Sequence, residues 1–351
     1  MRVLVTGADG YIGTVLAPYL MERGHEVKGV DTGFHRIGWL YNGVRSMPDT
    51  DIKDIRDLTA DDLKGFDAVV HLAELSNDPV GQLDRRVTFD INHKGTVTLA
   101  SAAKAAGVGR FIYFSSCSVY GASSTSASDE EGATNPLTAY AECKLLVERD
   151  LKLMADASFC PTYLRNATAY GASPRQRFDL VVNNLCCHAW CDRLIKMDSD
   201  GTPWRPFVHI LDISQAAALA LVAPRDAVFN ETLNVGDNEE NYQVRDVART
   251  VAETFPDCDL SIGTRGDDKR DYKVNFDKIR RHLPGFKCQW NVRRGAMQLR
   301  RIFESVRMEK GLFEGPAHTR LKRIQQLLAT RQIDSDFYWV NGYEEYQRRA
   351  A

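Results

Sequence analysis

Tyr140 and Lys144, in Tyr140-Ala-Glu-Cys-Lys144, stand four residues apart, which on a helix puts a phenol and an ammonium on one face. A positive charge beside a phenol favours its anion, so the pair could exchange a proton with a substrate hydroxyl near neutral pH. Such pairs are commonplace on helices. This one gains weight from the run upstream, Ser115-Ser116-Cys117-Ser118-Val119-Tyr120-Gly121, which closes an apolar strand pattern. A second motif opens the chain, where Gly7-Ala-Asp-Gly10-Tyr11-Ile12-Gly13 follows an apolar run and leads into a helical one. Glycines at such a turn let the backbone approach a diphosphate, and the following helix offers free N–H groups and a positive dipole end. The second strand pattern ends at Asp31, whose carboxylate suits the ribose hydroxyls of an adenosine and repels a 2′-phosphate. NAD is therefore expected rather than NADP, although His35 and Arg36 could meet a phosphate if their loop folds back.

The elements that must position these groups are legible as an alternation. Strand patterns cover 2–6, 26–30, 68–72, 110–115 and 161–165, with helical patterns at 11–22, 83–105 and 139–157 and a loop at 32–50. That rhythm predicts an α/β fold, a doubly wound parallel sheet covered on both faces. Further helical patterns lie near 178–190, 212–222, 244–255 and 275–282. The expected division is a dinucleotide-binding domain over 1–165, to which parts of 166–240 return, and a smaller α/β substrate domain over 166–290. A helical extension over 291–351 carries Arg293, Arg294, Arg300 and Arg301, read as a solvated helix face or a subunit contact.

Bulk properties narrow the partners. The 351 residues carry a formal net charge of -2 and are 44% hydrophobic and 26% charged, ordinary for a globular protein with a sizeable core. No global basic field points to nucleic acid, and no apolar run approaches the roughly 20 residues of a membrane span. The first residues pass directly into a strand pattern, so a cytoplasmic protein is expected. Eight cysteines lack the spacing of a disulfide framework, and Cys186-Cys187-His188-Ala189-Trp190-Cys191 lacks a second ligand pair, so buried thiols are expected and no metal site.

Taken together, Gly7-x-x-Gly10-x-x-Gly13, Asp54-Ile55-Arg56-Asp57, His71-Leu72-Ala73, Ser115-Ser116…Val119-Tyr120-Gly121 and Tyr140-x-x-x-Lys144 resemble the NAD-dependent sugar epimerase/dehydratase family of extended short-chain dehydrogenase/reductases. The resemblance spans roughly residues 1–290 and implies a Rossmann-type domain with the site in a cleft beside the second domain. It implies Tyr140 as general acid/base, Lys144 as its partner and holder of the nicotinamide ribose, and Ser116 on the reacting sugar oxygen. It also implies Gly7, Gly10, Tyr11, Ile12, Gly13 and Asp31 on the cofactor, Asp54 and Ile55 against adenine, and Leu72 and Ala73 beside the dinucleotide. Asn183, Asn184, Arg205 and Arg270 match positions that relatives place on a sugar-nucleotide diphosphate. A homodimer is the expected assembly.

Departures from the family pattern shape the expected reaction. Dehydratases of the family carry an Asp-Glu pair where this chain has Cys117 and Ser118, Glu74 replaces a usual alanine, and Pro206 replaces a usual aspartate. Cys117 is read as a packing residue. The expected activity is an NAD-dependent epimerase acting at a sugar carbon, taken as C4, through a keto intermediate. The alternatives are an NAD(P)H-dependent 4-keto-sugar reductase, a dehydratase, and a non-catalytic dinucleotide-sensing regulator.

Overall fold

The computed structural model describes residues 1–42, 46–122, 127–266 and 270–344. β1 (Arg2–Thr6), β2 (Glu26–Asp31), β3 (Thr50–Ile52), β4 (Ala68–His71), β5 (Arg110–Ser116) and β6 (Cys160–Asn166) make up the first part of the chain. β7 (Thr168–Tyr170), β8 (Leu194–Ser199), β9 (Trp204–His209), β10 (Thr232–Val235), β11 (Asn241–Gln243) and β12 (Asp259–Arg265) follow. The main sheet has the order β10-β6-β5-β4-β1-β2-β3, and all its pairings are parallel. The order reverses between β1 and β4, which opens a crevice at the carboxyl ends of those strands.

Side chains alternate along each central strand, and both faces are apolar because both are covered. Val3, Val5, Ile112 and Phe114 share one core with Leu16, Leu20, Ile213 and Ala217. Leu4, Val69, Phe111 and Tyr113 share the other with Val147 and Leu151. β10 rejoins the main sheet beside β6, and the helix Ile210–Val222 packs on β5 and β6. β11, β9 and β7 form a small second sheet and β12 pairs with β8. No helix among the described residues is long and apolar enough to cross a membrane.

One expectation is corrected. The loop over 32–50 leads into β3, a short edge strand that pairs with the end of β2. The helix expected over 83–105 runs unbroken from Arg85 to Ala105, with a π-helical stretch Phe89–Gly95 between the α-helical turns Arg85–Thr88 and Thr96–Ala105. Asp84 starts it by accepting the Val87 N–H, and Asn77 starts a separate turn before it, Asp78–Gly81, by accepting the Val80 N–H.

The arginine-rich extension does more than present a solvated face. Its helix Val292–Ser305 packs on the helices Val181–Cys191 and Val244–Thr254. The chain then returns to the first part of the molecule, where Ile324, Leu327, Ile333 and Phe337 enter the core with Val30, Phe34 and Leu58. Arg323 Nε donates to the Phe34 carbonyl at 2.8 Å and Trp339 Nε1 to the Thr32 carbonyl at 2.7 Å.

The helix Ala139–Met154, which carries Tyr140 and Lys144, is fixed to the sheet by a buried ion pair. Arg165 on β6 meets Glu148 at 2.7 Å through Nη2 and 2.9 Å through Nε, and Ser115 Oγ donates to the same carboxylate at 2.5 Å. Arg165 also donates to the Tyr120 hydroxyl, which donates to Asn234 Oδ1 on β10. Removing one partner strands the other charge in the core. Glu148→Ala should therefore lower the unfolding free energy by about 3–5 kcal/mol, read as a fall in the urea midpoint. A change of under about 1 kcal/mol would show that Arg165 is not held as described.

Candidate active site

The crevice between β1 and β4 is floored by the glycine turn. Gly7 has φ +74°, and a Cβ there would lie 2.9 Å from the Ala73 backbone nitrogen. A Cβ on Gly13 would lie 2.1 Å from the Gly7 carbonyl oxygen, so the turn closes only with hydrogen at both positions. Gly10 N–H donates to that same carbonyl at 3.0 Å, and Leu72 and Ala73, just after β4, press against the turn. A turn this tight, opening the helix Gly13–Met21, fits the close approach of a dinucleotide diphosphate.

Asp31 stands at the end of β2, where its carboxylate accepts the Gly33 N–H at 2.8 Å and the Asp9 N–H at 3.2 Å. Burial, with the Asp9 charge second, pushes its carboxyl up to about 6. Arg36, expected as a possible phosphate ligand, pairs with Asp9 at 2.7 Å. Asp54 accepts from Arg56 through both oxygens, and Ile55 is buried beside it.

Tyr11, Asn183 and Asn184 form a brace around the turn. The Tyr11 hydroxyl donates to the Gly171 carbonyl at 2.7 Å, and Asn183 Nδ2 donates to that hydroxyl and to the Arg177 carbonyl. Asn183 Oδ1 accepts the Gly171 N–H, and Asn184 Nδ2 donates to the Phe178 carbonyl. Ile12 is partly buried at the helix start. Beside this brace, Arg175, Arg177 and Arg320 bring three buried guanidinium groups that no sequence motif marks.

Tyr140 occupies the first turn of its helix. Thr138 caps that turn, accepting the Ala141 N–H, and its hydroxyl donates to Asp78 at 2.6 Å. Asp78 also accepts Arg270 Nη1 at 2.6 Å, so a residue of the second part of the chain reaches the Tyr140 helix. Lys144 lies with its Nζ 5.4 Å from the Tyr140 ring centroid, but its ion pair is with Glu74, at 2.7 Å. Glu74 accepts the Tyr113 hydroxyl at 2.8 Å through its other oxygen, and Lys144 also donates to the Phe114 carbonyl. This corrects the expected electrostatics. Burial raises the Tyr140 phenol, Lys144 opposes that rise, and Glu74 adds to it, so the net shift is upward.

Ser116 Oγ accepts the Ser118 N–H at 3.1 Å, which leaves its own O–H to donate. Ser118 Oγ is buried and has no hydrogen-bond partner among the described residues, placing a second hydroxyl on the turn that motif reading passed over. Cys117 faces the core, where its thiol donates to the Arg165 carbonyl and burial pushes it well up. Arg205 is buried over the Tyr272 ring, 5.4 Å from its centroid, and donates to the Trp204 carbonyl. Arg205 and Arg270 both act electrostatically on Tyr272, so the structure gathers the two arginines about one phenol.

Known proteins resemble this chain in sequence and in architecture. Residues 3–236 match the NAD dependent epimerase/dehydratase family. A UDP-glucose 4-epimerase of Corynebacterium glutamicum is 30% identical over 72% of this chain and 80% of its own length. A UDP-glucose 4-epimerase of Bacillus subtilis is 27% identical over 67% and 77%. Among solved structures, MoeE5 in complex with UDP-glucose and NAD is 28% identical with a TM-score of 0.74, over 87% of this chain and 100% of that one. TunA, an NAD dependent-NDP-hexosamine 5,6-dehydratase, shares the fold at 23% identity and a TM-score of 0.77, over 87% and 98%.

His71 is a second titratable group that feels the Lys144 charge, and so a second candidate proton carrier. Its Nδ1 is 2.6 Å from Thr6 Oγ1 and its Nε2 2.8 Å from Thr96 Oγ1. Burial first, then the Lys144 charge, pulls it down to about 3. It is thus neutral through the physiological range and serves as a strut between β1, β4 and the helix Thr96–Ala105. Its imidazole resonances should stay constant from pH 8 to pH 5 in an NMR titration, starting from a normal value near 6.5. A midpoint between those limits would return His71 to the list of proton carriers.

Proposed function

The chain belongs to the NAD dependent epimerase/dehydratase family, and on that premise we propose that it is a sugar-nucleotide epimerase, inverting a sugar carbon, C4 in this reading, through a keto intermediate. The observation that carries the reading is a Tyr140/Lys144 helix beside a Ser116–Ser118 turn that holds hydroxyls and no carboxylate. Loss of water would need an acid and a base on that turn. Cys117 is packed in the core with its thiol pushed up, and Ser118 is uncharged, which supports exchange at one carbon over elimination. The UDP-glucose 4-epimerase relatives support a uridine diphosphate sugar.

NAD, when bound, supplies the acceptor for the sugar's hydride and the source of its return. Tyr140 takes the proton from the sugar hydroxyl and gives it back, and Ser116 donates a hydrogen bond to the reacting oxygen. Lys144 keeps a positive charge beside the phenol, and Glu74 anchors that charge. Arg205 and Arg270 hold the substrate diphosphate, for which planar guanidinium groups suit bidentate contact. Asn183 and Asn184, expected as diphosphate ligands, act in this reading through the segment they brace, because their amides are already hydrogen-bonded within the chain. Gly7, Gly10, Gly13, Asp31, Leu72 and Ala73 belong to the cofactor crevice. A cytoplasmic location and a homodimeric assembly complete the proposal.

Reaction type is tested with a UDP-sugar deuterated at C4. An epimerase returns the same hydride, so product should keep its deuterium without added cofactor. Stoichiometric NADPH consumption with new hydrogen at that carbon would make the chain a reductase, and a product short of one water a dehydratase. NAD binding without turnover of any sugar nucleotide would make it a sensor.

The proton carrier is tested separately. Tyr140→Phe should lower turnover by roughly 10²–10⁴-fold while NAD still binds. Glu74→Gln removes a charge that raises the Tyr140 phenol, so the acid limb of the pH–rate profile should move to lower pH. An unmoved limb would mean that Glu74 has no electrostatic part in turnover.

A further inference from the structure

Buried positive charge gathers beside the loops at the carboxyl ends of β1, β2 and β4. Arg175 and Arg177, in the segment after β7, are 4% and 6% exposed, and Arg320, the first residue of the helix Arg320–Ala329 in the extension, is 4% exposed. Arg177 is satisfied by Asp179 at 2.9 Å and donates to Ser76 Oγ in the loop after β4. Arg36 is satisfied by Asp9 in the glycine turn. Asp31, the remaining carboxylate of the group, is taken by two backbone N–H groups.

Among the described residues the guanidinium groups of Arg175 and Arg320 have no carboxylate in contact, although the Arg320 backbone N–H donates to Asp179 at 3.4 Å. Arg175 donates to the Gly38 carbonyl and lies over the Trp39 ring, but its buried Nε has no partner. Arg320 Nη2 is likewise buried with no partner, and so is Nδ1 of His35, whose imidazole is held neutral by burial and by Arg320, Arg323, Arg177 and Arg175. A buried guanidinium without an anion is costly, and the orphaned donors mark where an anion belongs.

We propose that Arg320, with Arg175 and Arg177, holds the diphosphate of the bound dinucleotide, so that the C-terminal extension completes the cofactor site. The inference rests on the family's NAD dependence and adds a ligand from a part of the chain outside the family match at 3–236. Position selects the dinucleotide over the sugar nucleotide. Arg320 feels Asp31 and Arg175 feels Asp9 and Asp31, the carboxylates of the glycine turn and of β2, whereas Arg205 and Arg270 gather at Tyr272. The crowding of positive charge shows in Arg320 itself. Burial, then repulsion from Arg177, pulls it down to about 9 against the opposing pull of Asp179 and Asp31. A diphosphate would supply the missing charge and accept from planar, forked donors.

The test is calorimetric titration of NAD, and separately of UDP, into protein stripped of nucleotide, with thermal melts in the absence of ligand. For Arg320→Met, NAD binding should weaken about 10- to 100-fold with UDP binding unchanged. The ligand-free melting temperature should hold or rise, because an unpaired buried charge has been removed. Arg320→Lys keeps the charge and loses the fork, so its NAD affinity should fall between the two. Equal NAD affinity in all three proteins overturns the proposal and leaves the family's cofactor reading standing. Weakened UDP binding with NAD unchanged overturns it in favour of the substrate diphosphate. Should the Met variant not fold, Arg320→Lys decides alone, and NAD affinity equal to the unaltered protein's overturns the assignment. Failure of the unaltered protein to bind NAD removes the cofactor reading and this inference together.

Discussion

Glu148 and Arg165 meet with both side chains buried, and the geometry of the site follows from that contact. The pair ties the middle of the Tyr140 helix to β6, while Ser115 and Tyr120 connect it to β5 and to Asn234 on β10. Four elements that are distant in sequence therefore share one set of charge-assisted hydrogen bonds. A helix held only by apolar packing could slide or rotate at small cost, whereas a directional network in a low dielectric admits one register. Lys144 sits one helical turn from Glu148, so the same network sets where its ammonium lies. That ammonium in turn meets Glu74 at the mouth of the crevice.

Glu74 gives the site a charge balance of its own. Lys144 is close enough to Tyr140 to favour its anion, but Glu74 and burial both work against ionisation. The phenol is therefore harder to ionise than a tyrosine beside a lone lysine, and its anion is the stronger base toward a sugar hydroxyl. The sequence shows Glu74 as an oddity after His71-Leu72-Ala73. Only the fold shows that it faces Lys144, because 70 residues of chain and a strand crossing separate them.

Much of the architecture was legible because it is periodic. The strand patterns at 2–6, 26–30, 68–72, 110–115 and 161–165 correspond to β1, β2, β4, β5 and β6 within a residue or two, since apolar runs bounded by turn residues determine strands locally. The helical pattern at 83–105 corresponds to one helix over 85–105, and only the extra turn that Asn77 starts before it carries no periodic signal. The glycine turn, Tyr140, Lys144 and Ser116 were legible because their spacing is local. Arg320 was not, since nothing nearby in sequence marks it and its neighbours in space come from residues 31, 175, 177 and 179. Asn183 shows the converse, a residue well placed in sequence whose amide the fold spends on Tyr11 and Gly171.

The return of the extension onto the first part of the molecule bears on how the protein is made. Arg323 and Phe34 are 289 positions apart, and Ile324, Leu327 and Phe337 belong to the same core as Val30 and Leu58. On a ribosome moving at about 5–20 residues per second, β2 waits roughly 15–60 s for the segment that covers it. During that interval the nascent sheet displays an apolar flank, which is a natural surface for a chaperone and a hazard for a chain that ends early. A frameshift or nonsense codon near residue 315 would spare every motif that identifies the family, yet it would release a polypeptide with part of its core open to water.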